Sequence, residues 1–162
     1  MPFINTLLLS CLVLGTSFTE SGKRVSITRQ QDEIILFFSI DNQSNPTCAL
    51  RRCIDLTGPI CDLLIFRATL ARNCDVGNIT LCLVELKGGD ISKALKQLEN
   101  TYNSLRRWSL FSDSPPITWK SYVMLQGGAP RYYKKARKDL TRKGLHVEIG
   151  RGGDIGNYIR RR

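Results

Sequence analysis

Ile79-Thr80-Leu81-Cys82-Leu83-Val84-Glu85-Leu86-Lys87-Gly88-Gly89 sets the architecture of the chain. Leu81 to Val84 is apolar at every position rather than at every second one. That is the signature of a strand buried on both faces and therefore central in its sheet. Gly88-Gly89 ends it, and the hydrophobic period then changes. Ile91, Leu95, Leu98, Tyr102 and Leu105 recur at steps of three or four, one helical face sustained over about five turns. Asp90 is placed to cap that helix at its N-terminus.

Working outward, Arg72–Asn78 (RNCDVGN) has turn chemistry. Before it, Ile60–Leu70 reads as a strand beginning after Gly58-Pro59, and Glu33–Ile40 as another. Cys48–Leu56 fits either regular structure. Downstream, Ser114-Pro115-Pro116 closes the helical unit. Ile117–Leu125 is then predicted as a strand, and Pro130–Lys143 as a helix with Tyr132, Tyr133, Ala136 and Leu140 on one face. Leu145–Ile149 reads as a short strand and Asp154–Ile159 as a final short helix. The chain of 162 residues suits one domain with a real core. The expected fold class is α/β: a single domain over residues 1–162, its central mixed sheet flanked by helices. The core spans about 33–149, and 150–162 is a basic tail.

Leu7–Gly15 (LLLSCLVLG) is an apolar run of signal-peptide length. Met1–Thr6 carries no Lys or Arg, so the charged segment of a signal is missing. Removing the run would leave Cys48, Cys53, Cys61, Cys74 and Cys82, an odd number for a disulfide framework. Cys61 and Cys82 lie inside apolar runs, where thiols behave as small hydrophobes. The expectation is therefore an intracellular, reduced protein with residues 4–15 as a buried first helix within an apolar segment 1–20. Secretion is the minority alternative. The run is too short to span a bilayer, and no membrane partner is expected.

The net charge of +10 is unevenly placed. Residues 1–65 hold five Lys/Arg against six Asp/Glu, and residues 66–162 hold nineteen against eight. Such an excess suits a polyanion, with nucleic acid favoured. Arg131, Lys134, Lys135, Arg137, Lys138, Arg142 and Lys143 are concentrated on one helix whose apolar face turns inward. They read equally well as a solvated face and as a surface tracking phosphates.

Asp62, in Pro59-Ile-Cys-Asp-Leu-Leu-Ile-Phe66, and Glu85 are charges inside apolar strands. There a carboxylate is costly unless paired or holding a cation. If the two strands form an antiparallel hairpin with Asp62 opposite Glu85, the midpoint of the pairing falls inside the 72–78 turn. Cross-strand neighbours lie roughly 5 Å apart at Cβ, and two carboxylates so placed repel unless a cation or shared proton intervenes. Hard oxygen ligands suit Mg²⁺ or Mn²⁺. Lys87 shares the face of Glu85 if the strand continues, and a lysine beside a metal-bound water stabilises charge building on a phosphate. The set makes a site for phosphodiester hydrolysis. The bland reading is a salt-bridged trio at the sheet edge.

Asp62, then Glu85-Leu86-Lys87, then a helix bearing Gln97 and Tyr102, resembles the PD-(D/E)XK superfamily of restriction-endonuclease-like nucleases and Holliday-junction resolvases. The resemblance covers residues 59 to about 108. It implies a restriction-endonuclease-like core, metal binding by Asp62 and Glu85, assistance to the attacking water by Lys87, and a catalytic role for Gln97 as the helix glutamine of some branches. It also implies DNA as substrate, with RNA open, and a homodimer as a common assembly. Many members carry a further acidic residue on the first helix. Residues 4–15 contain none, leaving Glu20 and Glu33 as candidates.

Trp108, Phe111, Trp119 and Tyr122 read as core packing before base stacking, and His146, the single histidine, as structural. Three functions remain in play: a Mg²⁺-dependent nuclease, a catalytically inactive nucleic-acid-binding module on the same fold, and a secreted disulfide-bonded basic protein.

Overall fold

The computed structural model describes residues 2–41, 50, 58–70, 75–86, 90–107, 116–125 and 133–161. A six-stranded mixed sheet organises them. Its strands are β1 (Leu12–Val13), β4 (Glu33–Ser39), β5 (Leu63–Leu70), β6 (Val76–Glu85), β7 (Ile117–Met124) and β8 (His146–Gly150), hydrogen-bonded side by side in that order. From β1 to β6 each neighbour is antiparallel; β7 and β8 continue parallel to β6. The parallel half needs crossovers. These are α2 (Ile91–Arg107), between β6 and β7, and α3 (Tyr133–Arg142), between β7 and β8.

β6 is buried continuously from Ile79 to Glu85, as a strand between β5 and β7 must be. Its side chains alternate between two cores. Leu81 and Leu83 pack with Leu64, Val123 and the inner faces of α2 and α3. Cys82, Val84 and Leu86 pack with Ile35, Phe37, Leu63 and Ile65 on the other side. There Ile155 and Ile159 close the layer from α4 (Gly156–Arg160) and the residue before it.

Asp90 Oδ1 accepts the Ser92 and Lys93 amides at 2.8 and 3.3 Å, the cap expected from sequence. α2 buries Ile91, Leu95, Leu98, Tyr102 and Leu105 as predicted, and Ala94 and Thr101 besides. α3 buries Tyr133 and Leu140 and ends where Gly144 adopts φ +93°, a left-handed conformation that favours glycine.

Two expectations need correction. The first helix, α1, runs Pro2–Ser10 and stops there, because Leu12 and Val13 pair with Phe38 and Phe37 as the edge strand β1. Of the apolar run, Leu7 and Cys11 are buried and Val13 packs partly buried against the second core, whereas Leu9 and Leu14 are 87% and 89% exposed. Residues 150–161 are not a tail. β9 (Gly153–Asp154) runs parallel to β3 (Lys23–Ser26), which also pairs antiparallel with β2 (Ser17–Glu20), forming a second, three-stranded sheet.

The closing segment is fastened by charge. Arg160 forms a bidentate pair with Glu33, and Arg67 meets the same carboxylate at 2.6 Å. Lys120, buried in β7, donates to the Tyr158 carbonyl at 2.7 Å and to that of Arg161, at the C-terminal end of α4. No helix among the described residues is long and apolar enough to cross a membrane.

Candidate functional site

β4 ends, β5 begins and β6 ends at the same edge of the sheet. Leu63 pairs with Val84, Leu64 with Leu83 and Ile65 with Cys82. Continued by one residue, this register would set Asp62 across from Glu85, as the hairpin arithmetic expects. Asp62 Oδ2 accepts the amide of Leu86, the residue after Glu85, at 2.7 Å. Its own carbonyl accepts the Ile40 amide at 3.0 Å. Asp62 thus ties together the ends of all three strands.

Both carboxylates are buried, Asp62 at 1% and Glu85 at 2% exposure. Glu85 follows Leu81 and Leu83 in the alternation and so faces the α2 side. The neighbouring Cys61 thiol registers the pair. Its pKa is pushed well up, first by burial and then, after a hydrogen bond with Thr101 that acts the other way, by the negative charges of Glu85 and Asp62.

α2 closes on the segment leading into Asp62. Asn100 Nδ2 donates to the Pro59 carbonyl and Gln97 Nε2 to the Ile60 carbonyl, both at 2.9 Å. Thr101 Oγ1 accepts the Cys61 amide at 3.0 Å while donating to Gln97 O. Gln97, singled out by sequence as catalytic, therefore has its amide on a main-chain carbonyl two residues before Asp62. Asn100 and Thr101 were missed. Their signal was spacing: positions 97, 100 and 101 share one helical face beside the apolar stripe.

Lys87 lies outside the described residues, as do Asp55, Cys48, Cys53, Cys74, Trp108, Phe111, Arg131 and Tyr132. Glu33, a candidate for the additional acid, sits at the other end of the seven-residue β4, about 20 Å away at ~3.3 Å per residue. There it is engaged by Arg67 and Arg160. Glu20 faces Lys23 in the β2–β3 hairpin. Glu33 is not brought to Asp62 and Glu85.

The two carboxylates fit a hard divalent ion as protein donors: Mg²⁺ is ordinarily held by one or two carboxylates, with water and substrate phosphate completing its shell. Among the described residues no group of three or more His, Cys, Asp or Glu could hold a metal.

Lys134, Lys135, Arg137, Lys138, Arg142 and Lys143 are all exposed on or just after α3. Arg137 approaches Glu148 at 3.8 Å, Arg142 approaches Asp139 at 3.5 Å, and Lys143 pairs with Glu99. α2 adds exposed Lys93, Lys96, Arg106 and Arg107. Both helices run antiparallel to the parallel strands, so each begins at the edge of the sheet that holds Asp62 and Glu85.

Lys120 meets the criterion that singled out Glu85, a charge in an apolar strand, and was overlooked. It is opposite Cys82 and beside Tyr122 in the alternation, on the α4 face rather than the α2 face. Burial pushes its pKa down. Trp119 packs edge-on against Tyr102 with ring centroids 5.2 Å apart, and Tyr122 Oη accepts the Gly152 amide, so both serve the interior. His146 is exposed, and its carbonyl accepts the Tyr158 hydroxyl at 2.9 Å. Cys11, Cys61 and Cys82 are buried thiols.

Comparison of the chain with protein-family models, with curated proteins and with solved structures finds no match.

Proposed function

We propose that the protein is a Mg²⁺-dependent nuclease that hydrolyses phosphodiester bonds of DNA on a PD-(D/E)XK, restriction-endonuclease-like core. The observation that carries this reading is the burial of Asp62, just before β5, and Glu85, the last residue of β6, at the shared end of two paired antiparallel strands. Two buried carboxylates close together repel each other, and a cation or a shared proton between them relieves that repulsion. When bound there, Mg²⁺ or Mn²⁺ would supply a polarised phosphoryl oxygen and a water of lowered pKa.

The chain's own residues do the rest. Asp62 is held by the Leu86 amide, which fixes one carboxylate oxygen and leaves the group aimed at the end of β6. Glu85 supplies the second carboxylate. In this reading Lys87, two positions on in the sequence, orients the attacking water and stabilises charge developing on the phosphate. The cations of α3 and α2 hold the flanking phosphates, a sequence-independent attraction.

Incubation of the purified chain with single-stranded, duplex and branched DNA tests this. Cleavage with Mg²⁺ or Mn²⁺, stopped by a chelator and abolished in Glu85→Ala and Lys87→Ala, is the expected result. Intact substrates under every condition would rule the nuclease out. The exposed basic face favours a second reading, a catalytically inactive nucleic-acid-binding module, and salt-dependent binding without cleavage would select it.

A further inference from the structure

We infer that Gln97, Asn100 and Thr101 form a positioning clamp that sets the Asp62 carboxylate for cation binding; this rests on the reading of Asp62 and Glu85 as a divalent-cation site. Pro59, Ile60 and Cys61 precede β5, and each has a main-chain group held by a side chain of α2. The three contacts come from one helical face, spaced three and four residues apart, and meet three consecutive residues of the facing chain. Thr101 is fully buried and cross-braced to Gln97 O at 2.8 Å, so the clamp is rigid at its centre. Asn100 reaches the same segment from a position open to solvent.

The residue after the clamp is Asp62. On its far side, Asp62 is held by the Ile40 amide at its carbonyl and by the Leu86 amide at Oδ2. Packing of Ile60 and Cys61 fixes where the segment lies in the core. Packing is non-directional and does not fix the rotation of the chain about its own axis. Hydrogen bonds to successive main-chain groups do, and that rotation decides where the Asp62 carboxylate points. A ligand displaced by a fraction of an ångström loses affinity because the cation's geometry is demanding; loss of contacts that orient ligands typically weakens metal binding ten- to a hundredfold, about as much as the clamp is expected to contribute.

This role separates Gln97 from a residue that touches substrate. Its Nε2 is directed at Ile60 O, so it acts through Asp62.

Mn²⁺ affinity of the full chain, read by calorimetry alongside thermal unfolding, tests the clamp. The variants are Asn100→Ala, Thr101→Val, Thr101→Ser and, as the site control, Asp62→Asn. The expected result is Mn²⁺ binding that Asp62→Asn removes and that Asn100→Ala and Thr101→Val each weaken by about tenfold. Thr101→Ser, which keeps the hydroxyl, retains wild-type affinity, and Asn100→Ala unfolds at the wild-type temperature. Wild-type Mn²⁺ affinity in Asn100→Ala and Thr101→Val would overturn the clamp while leaving the site standing. Absence of Mn²⁺ binding by the wild-type chain, or its persistence in Asp62→Asn, would overturn the site and the clamp with it.

Discussion

Replacing Glu33 by Gln removes one charge from the place where the structure concentrates most of its buried ionic contact. The carboxylate is 2% exposed. It accepts Arg67 Nε at 2.8 Å, Arg160 Nη2 at 2.8 Å and the Gln30 amide at 3.1 Å, with Arg160 Nε completing a bidentate pair. Its pKa is held down from 4.5 to about 2, chiefly by the Arg160 hydrogen bond, which prevails over burial, with Arg67 and Gln30 adding to the depression. At ~1.4 kcal/mol per unit, that depression corresponds to a contribution on the order of 3 kcal/mol. The sign follows from linkage. A carboxylate whose folded pKa is depressed stabilises the fold fully above its unfolded pKa, near 4.5, and loses that contribution as pH falls through about 2. Urea unfolding of wild type and Glu33→Gln at a series of pH values reads the difference directly. The variant is expected to be less stable by about 3 kcal/mol at pH 7, a value consistent with leaving two arginines facing a neutral amide, and the gap should narrow steadily below pH 4.5. A difference under about 0.5 kcal/mol at pH 7, or one that does not change with pH, would refute the reasoning.

Two further outcomes follow from the same geometry. Lys120→Met keeps the length of the side chain but removes the donors to the Tyr158 and Arg161 carbonyls; it should destabilise the chain by about 1–3 kcal/mol and raise amide hydrogen exchange in 156–160 before that in β6, whereas uniform exchange across both would contradict the role of Lys120 as fastener of α4. Lys134→Glu and Lys138→Glu, on the exposed face of α3, should weaken DNA binding equally across sequences and lower the salt slope by about one per lysine; an unchanged slope would place the DNA elsewhere.

The strands that position the site were legible because each is a long, largely apolar run, and β6 is buried without a break from Ile79 to Glu85. Glu33–Ser39, Leu63–Leu70, Val76–Glu85 and Ile117–Met124 depart from the expected bounds by a few residues at their ends, where hydrogen bonding rather than hydropathy sets the limit. The β5–β6 register was legible because turn composition at 72–78 and the midpoint between Asp62 and Glu85 agreed. The β2–β3 hairpin was not read, since four-residue strands show little period. Its signal was Ser21-Gly22, both with positive φ (51° and 75°), the conformation that a two-residue hairpin turn demands. The final short helix was read to within two residues, but its docking was hidden, because Arg160 looks solvated in sequence and is half-buried only by meeting Glu33, 127 residues away. The clamp on 59–61 was legible only as a helical face shared by 97, 100 and 101; Asn100 and Thr101 acquire meaning once α2 is laid over the start of β5.

The proposed nuclease site requires Asp62 and Glu85 to share a divalent cation. Anomalous diffraction at the manganese edge from crystals of the chain soaked in MnCl₂ tests it most directly. The expected result is a peak within about 2 Å of one oxygen from each carboxylate, absent in Glu85→Gln crystals. No peak between Asp62 and Glu85 in ordered wild-type crystals, or a peak that survives Glu85→Gln, would contradict it.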